Sequence, residues 1–82
     1  VQSTKDELAN QKFLTEYWKA IKEFYSVEIT DEYSKQASDK LIWLGEISGI
    51  CTDKHDKKFI QDCINALESL LDSKQREMRI NP

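Results

Sequence analysis

The feature that most constrains the fold is a spacing pattern: apolar residues recur three and four positions apart in three separate segments. Such spacing places one apolar stripe along an α-helix. The 82 residues include only two glycines and one proline, which leaves little of the turn chemistry that a β-fold needs. We therefore predict an all-α fold, a small antiparallel three-helix bundle forming one domain over residues 1–82. A break in the first helix would give four helices instead.

The first helix is predicted from about Thr4 to Ser26. Ser3 or Thr4 can cap its free N–H groups, and Glu7 completes a capping box. Phe13 and Ala20 are placed at the margin of its inner face. The predicted inner face consists of Leu8, Leu14, Tyr17, Trp18, Ile21, Phe24 and Tyr25.

The second helix is predicted to begin after Thr30, an N-capping residue, and to end at Gly49 in a left-handed conformation. The third is predicted to start between Thr52 and Asp56, with Thr52, Asp53 or Asp56 as its cap, and to fray from Lys74 onward. Their predicted inner faces are Tyr33, Ala37, Leu41, Leu44 and Ile47 in the second, and Phe59, Ile60, Cys63, Ile64, Leu67, Leu70 and Leu71 in the third.

The charge distribution excludes some classes of partner. The net charge is −3, and all of it falls in residues 1–50, where nine acidic residues face six lysines. No basic stripe is present, which argues against nucleic acid and anionic membrane surfaces. The longest strongly apolar run is four residues, 41–44, so no segment is predicted to span a membrane. The acidic half favours a protein partner with a basic face.

Both cysteines and the only histidine lie in one stretch, Cys51-x3-His55-x7-Cys63. The spacing allows a zinc site, but a fourth ligand would have to be a nearby aspartate, so no metal is predicted. We predict a Cys51–Cys63 disulfide, which would close a modest loop and stabilise a small domain. The alternative is two reduced thiols and a solvated surface histidine. The cysteine pair and the polar start at Val1 favour an exported protein, secreted or in the periplasm or envelope.

The run "LIWLG", residues 41–45, is too apolar for one face of a helix. Ile42 and Trp43 must point away from the core face, either to the seams between helices or to the outside. We predict that these two, with the acidic Asp39 and Glu46, form a partner-binding surface. The helical Gly45 suggests the close approach of a bulky neighbour, such as Trp18 or Phe24, or access for a partner's side chain.

The sequence lacks nucleotide-binding, metalloprotease and nucleophile-elbow motifs, and one histidine supplies no recognisable triad. We therefore predict a protein that is not an enzyme and needs no cofactor. The predicted function is a protein-binding helical module of the inhibitor, immunity-protein or chaperone-adaptor type, with a homodimer as a related possibility. The alternatives are a cytosolic regulatory adaptor and a small metal- or ligand-binding protein that uses Cys51, His55 and Cys63.

Overall fold

A computed structural model describes residues 4–80. The chain forms α1 (Thr4–Phe24), α2 (Asp31–Ile47), a single 3-10 turn (Ser48–Ile50) and α3 (Lys54–Ile80), with no strand anywhere in that range. The prediction of an all-α three-helix bundle is confirmed. The first helix is unbroken, so the four-helix alternative is wrong.

Two of the three helix starts use the side-chain caps that the sequence predicts. The Tyr33 N–H donates to Thr30 Oγ1 at 3.1 Å ahead of α2. Ahead of α3, the His55 N–H donates to Asp53 Oδ1 at 2.6 Å, and the Asp53 carbonyl accepts from the Lys57 N–H at 3.1 Å. These bonds satisfy N–H groups that have no partner within the helix. The caps predicted for α1 at Ser3 and Thr4 lie outside the described side chains.

The end of α2 differs from the prediction. No glycine among the described residues has a positive φ, so Gly49 does not end the helix in a left-handed conformation. Instead, α2 tightens into the 3-10 turn. The Ser48 hydroxyl donates to the Gly45 carbonyl at 2.7 Å, and the Cys51 N–H donates to the Ser48 carbonyl at 3.2 Å. A 3-10 turn satisfies the last carbonyls of an α-helix without a left-handed residue.

The end of α3 also differs, because the helix continues to Ile80 rather than fraying from Lys74. Its last turns run past the end of α1 and pack on the link between α1 and α2. The Gln75 side-chain amide donates to the Glu28 carbonyl at 2.8 Å. The Lys74 ammonium lies 3.3 Å from the ring centroid of Tyr25. Tertiary contacts of this kind extend a helix whose terminal residues have no apolar stripe of their own.

The helices run up, down and up, so α1 and α3 are parallel. Three contacts along these two helices, Asn10–Asp56, Phe13–Phe59 and Tyr17–Cys63, each join residues 46 positions apart. Phe13 packs edge-on against Phe59, with ring centroids 6.5 Å apart, and the Tyr17 hydroxyl donates to the Cys63 carbonyl at 2.6 Å. This constant offset sets two parallel helices side by side over most of the length of α1.

The core lies between the inner faces of the three helices and the 3-10 turn. On α1 it is built by Ala9, Phe13, Ala20 and Phe24. The full buried set is Ala9, Phe13, Ala20, Phe24, Val27, Tyr33, Ala37, Leu44, Ile47, Cys51, Ile60, Ile64, Leu67 and Leu71. Most of the inner positions predicted for α2 and α3 are thereby confirmed, but the prediction is wrong for Phe59 and Leu70, which are exposed.

The predicted inner face of α1 is wrong by about a quarter turn, the rotation of one helical position. Leu8, Leu14, Trp18 and Tyr25 are exposed, and Ile21 and Tyr17 are half-buried at the edge of the core. Of the predicted inner residues, only Phe24 is confirmed as buried. The prediction followed the largest apolar side chains of α1, most of which are exposed. The structure instead buries alanines, which let α1 approach its neighbours closely, together with two phenylalanines in the same phase.

Candidate functional site

The cysteine–histidine stretch does not form one site. Cys51 follows the 3-10 turn and is buried, Cys63 is half-buried on α3, and His55 is exposed at the start of α3. Both cysteines are free, so the predicted Cys51–Cys63 disulfide is wrong. Cys63 lies nine residues into α3, about 14 Å along its axis at the usual helical rise. A disulfide allows about 7 Å between Cα atoms, so Cys51 would have to fold back along α3, and it does not.

The surroundings of both thiols disfavour the thiolate. Burial raises the pKa of Cys51, and the nearby carboxylates of Asp6 and Asp56 raise it further. Burial likewise raises the pKa of Cys63, with a smaller contribution from Asp62. Nucleophilic and metal-binding cysteines need the thiolate. Within residues 4–80, no group of three His, Cys, Asp or Glu side chains is placed to hold a metal ion.

The first turn of α1 holds a buried carboxylate. Asp6, in the first turn of α1, is 2% exposed. It accepts hydrogen bonds from the Thr52 N–H at 3.0 Å, the Thr52 hydroxyl at 3.2 Å and the Asp53 N–H at 2.8 Å. These bonds, chiefly those from the two backbone groups, lower the pKa of Asp6. We call Asp6, Thr52 and Asp53 the polar clasp, because they join the start of α1 to the start of α3.

The polar clasp is a structural feature rather than a reactive one. The hydrogen bonds that Asp6 accepts from Thr52 and Asp53 come from the segment that leads into α3, and they satisfy backbone N–H groups that precede its first turn. Asn10, one turn on, donates from Nδ2 to Asp56 at 3.1 Å and repeats the same link. The available sequence signal was phase, since Asp6 lies seven residues before Phe13, on the buried side of α1.

The predicted partner-binding residues do share one face. Asp39, Ile42, Trp43 and Glu46 are spaced i, i+3, i+4 and i+7 along α2, and all four are exposed. We call these four residues the α2 face. Ile42 is 62% exposed and Trp43 is 37% exposed. Helical residues at this spacing are neighbours on the surface, so two apolar side chains lie between two acidic ones.

Beside the α2 face is an open groove between α1 and α2, with a volume of about 540 Å³. Its walls include Glu23, Gln36, Asp39 and Trp43. The Lys40 ammonium lies 4.6 Å from the ring centroid of Trp43, and Asp39 is paired with Lys35 at 2.9 Å. One face of the Trp43 ring is therefore already covered by the ammonium of Lys40.

Gly45 does not mark a close approach of the helices. A methyl group at this position would meet only Ile64 Cδ1 of α3, at 3.7 Å, which is an ordinary van der Waals distance. The expected neighbours Trp18 and Phe24 are not the nearest atoms. The interpretation that Gly45 accommodates one of them is wrong.

Comparisons with protein-family models, with curated proteins and with solved structures found no match. None of the helices described over residues 4–80 is long and apolar enough to cross a membrane. A function for this chain therefore has to be inferred from its own surface.

Proposed function

We propose that this chain is a non-enzymatic protein-binding module, of the general kind that includes inhibitors, immunity proteins and chaperone adaptors. The observation that carries the proposal is the α2 face: Ile42 and Trp43 are exposed together between Asp39 and Glu46 on one rigid helix. Tryptophan is a favoured anchor in interfaces, because it buries a large area with few rotatable bonds and keeps a polar tip.

The charges around the α2 face support a partner with a basic surface. Helix α2 carries four acidic residues and two lysines. A second groove on the same side of the bundle is lined by Glu23, Glu28 and Glu32, with no lysine or arginine in its walls. Charge complementarity of this kind mainly speeds the encounter and selects among partners.

The same face would serve a cytosolic adaptor as well as an exported protein. The free cysteines remove the disulfide argument for export, so the proposal concerns the surface and leaves export as a prediction. A metal-binding function of Cys51, His55 and Cys63 lacks support, because the structure separates the three side chains.

Site-specific photo-crosslinking tests the proposal. A photoreactive residue replaces Ile42, which is 62% exposed, and the variant is irradiated in cells of the source organism. The control carries the same residue in place of Leu8, which is 60% exposed on another side of the bundle. We expect a discrete adduct from Ile42 only. Adducts of the same protein from both positions would contradict a specific role for α2.

The partner identified in this way is then purified. Its affinity for the Trp43→Ala variant is compared with its affinity for the unmodified chain. We expect a loss of about tenfold or more, the effect of an interface anchor. Unchanged affinity, together with a stability loss above about 2 kcal/mol, would identify Trp43 as a core residue and refute the proposal. Sedimentation at several concentrations tests the homodimer, since a concentration-dependent dimer lost in Trp43→Ala would make a second copy the partner.

A further inference from the structure

A second apolar surface lies on a different side of the molecule, along the seam between α1 and α3. Two rows of side chains border it, each spaced i, i+4, i+7 and i+11 along its helix. Leu14, Trp18, Tyr25, Phe59 and Leu70 are exposed, and Trp18 is 58% exposed. The α1 row is Leu14, Trp18, Ile21 and Tyr25, and the α3 row is Phe59, Cys63, Ala66 and Leu70.

The contacts between α1 and α3 show that the two rows face the same seam. Tyr17, next to Trp18, donates to the carbonyl of Cys63, and Tyr25 stacks under Lys74. Phe13, next to Leu14, packs on Phe59. The residues of each row are therefore next to the residues through which α1 and α3 contact each other, on the outer side of the seam.

The spacing of the rows suits a helix as the occupant. Each row extends over eleven residues, about 17 Å at the usual helical rise. Two parallel helices with apolar rows at this near-heptad spacing present a seam against which a further helix can pack its own stripe. An amphipathic helix in a groove is a common mode of protein recognition.

The charges of the seam select the kind of helix. The ammonium of Lys22 lies 5.6 Å from the ring centroid of Trp18, and that of Lys74 lies 3.3 Å from the centroid of Tyr25. Neither lysine forms an ion pair with a carboxylate within residues 4–80. Glu77 lines the same pocket as Lys74 without pairing with it, so two lysines that lack a carboxylate partner in the described part of the chain border the apolar seam. Such cations favour acidic residues on the ligand.

We propose that this seam binds an amphipathic helix of another protein, with its apolar stripe between α1 and α3 and its acidic flanks beside Lys22 and Lys74. The surface is separate from the α2 face and prefers the opposite charge. It does not depend on the function proposed above.

Two synthetic helical peptides with the same leucine stripe, flanked by glutamates in one and by lysines in the other, are suitable probes. They are titrated into the Trp43→Phe variant, in which Trp18 is the remaining tryptophan and reports binding by its fluorescence. We expect the acidic peptide to bind about tenfold more tightly than the basic one, from two ion pairs gained and two repulsions avoided.

The charge-reversal variant Lys22→Glu/Lys74→Glu should invert this preference. Its matched control is Lys12→Glu/Lys57→Glu, which changes the net charge equally, also with one lysine on each helix, at exposed positions away from the seam. The control should keep the preference for the acidic peptide. The Trp18→Ala variant, made in a chain that retains Trp43, should no longer bind the acidic peptide and should show little change in Tm. Calorimetry measures both the binding and the Tm.

The proposal is overturned if neither peptide binds, if both bind equally, or if the control inverts the preference as the test variant does. It is also overturned if sedimentation shows self-association that Trp18→Ala abolishes, because a second copy of the chain would then cover the seam.

Discussion

Helix α1 carries two apolar stripes, and comparing them shows how apolar composition differs from burial. The inner stripe, with Ala9, Phe13, Ala20 and Phe24, is buried, although half of its members are alanines. The outer stripe includes Leu14, Trp18 and Tyr25, which are larger as a group and yet exposed. Close packing selects side chains that fit the space between helices, and the largest side chains on a small bundle can remain outside. The exposed stripe is therefore available for binding, whereas the buried one holds the fold together.

Replacing one residue in each stripe sharpens this comparison and should give the largest difference. Phe13→Ala removes a fully buried ring and should lower the free energy of unfolding by about 3–5 kcal/mol. Trp18→Ala removes a larger but mostly exposed side chain and should cost less than about 1 kcal/mol. Urea denaturation measures both. Equal losses would mean that the outer stripe belongs to the core.

Helix α2 offers the same comparison two residues apart. Leu44 is fully buried and Ile42 is largely exposed. We expect Leu44→Ala to cost about 2–5 kcal/mol and Ile42→Ala to stay within about 0.5 kcal/mol. A costly Ile42→Ala, measured in the same denaturation series, would contradict the assignment of Ile42 to a free surface.

Asp6 is the one charged residue buried on the inner side of α1, and it should make the free energy of unfolding depend on pH in the acidic range. Its pKa is lowered in the folded state, so its contribution is fully present above its unfolded pKa of about 3.9 and is lost as the pH falls through the lower folded value. Asp6→Asn should lower Tm by about 5–10 °C at pH 7, because it weakens the hydrogen bonds from Thr52 and Asp53.

The difference in Tm between the unmodified chain and Asp6→Asn should shrink below about pH 4, and calorimetry between pH 2 and 7 follows it. A suitable control is Asp39→Asn, an exposed carboxylate on α2. A difference in Tm that does not vary with pH would show that the polar clasp does not depend on the charge of Asp6.

Gly45 lies at the boundary between the buried and exposed sides of α2. Gly45→Ala should raise the free energy of unfolding by about 0.5–1 kcal/mol, because alanine favours the helix and its methyl group has room. Gly49→Ala, outside α2 and also unobstructed, is the comparison. A destabilised Gly45→Ala would show that α2 and α3 pack more tightly here than the 3.7 Å distance indicates.

The two cysteines differ in the same way, since Cys51 is buried in the core and Cys63 is half-buried at the seam between α1 and α3. In the folded protein, Cys63 should be alkylated faster than Cys51, and both slowly at pH 7 because both thiol pKa values are raised. In denaturant without reductant, both should react fully, with no mass change on prior reduction. Resistance to alkylation, with a gain of about 2 Da on reduction, would restore the disulfide.

Much of the fold follows from local signals. The three helices, the caps at Thr30 and Asp53, and the inner faces of α2 and α3 are encoded by spacing and capping chemistry within a few residues. The four residues of the α2 face were also predictable, because an apolar run longer than one helix face must expose part of itself. The end of α2 was not predictable in this way. Gly49 indicates a left-handed helix end, but the 3-10 turn ends α2 without one.

The sequence by itself determined that this chain forms three amphipathic helices and that Ile42 and Trp43 point away from the core face of α2, and the structure showed that both are exposed. Only the tertiary structure decided which side of α1 is buried, that Asp6 reaches the start of α3, and that Cys51 and Cys63 stay apart. Each of these depends on how helices far apart in sequence are rotated and aligned against one another. Local periodicity defines a helix and its apolar sectors, but the rotation between packed helices is set by the fit of all three at once.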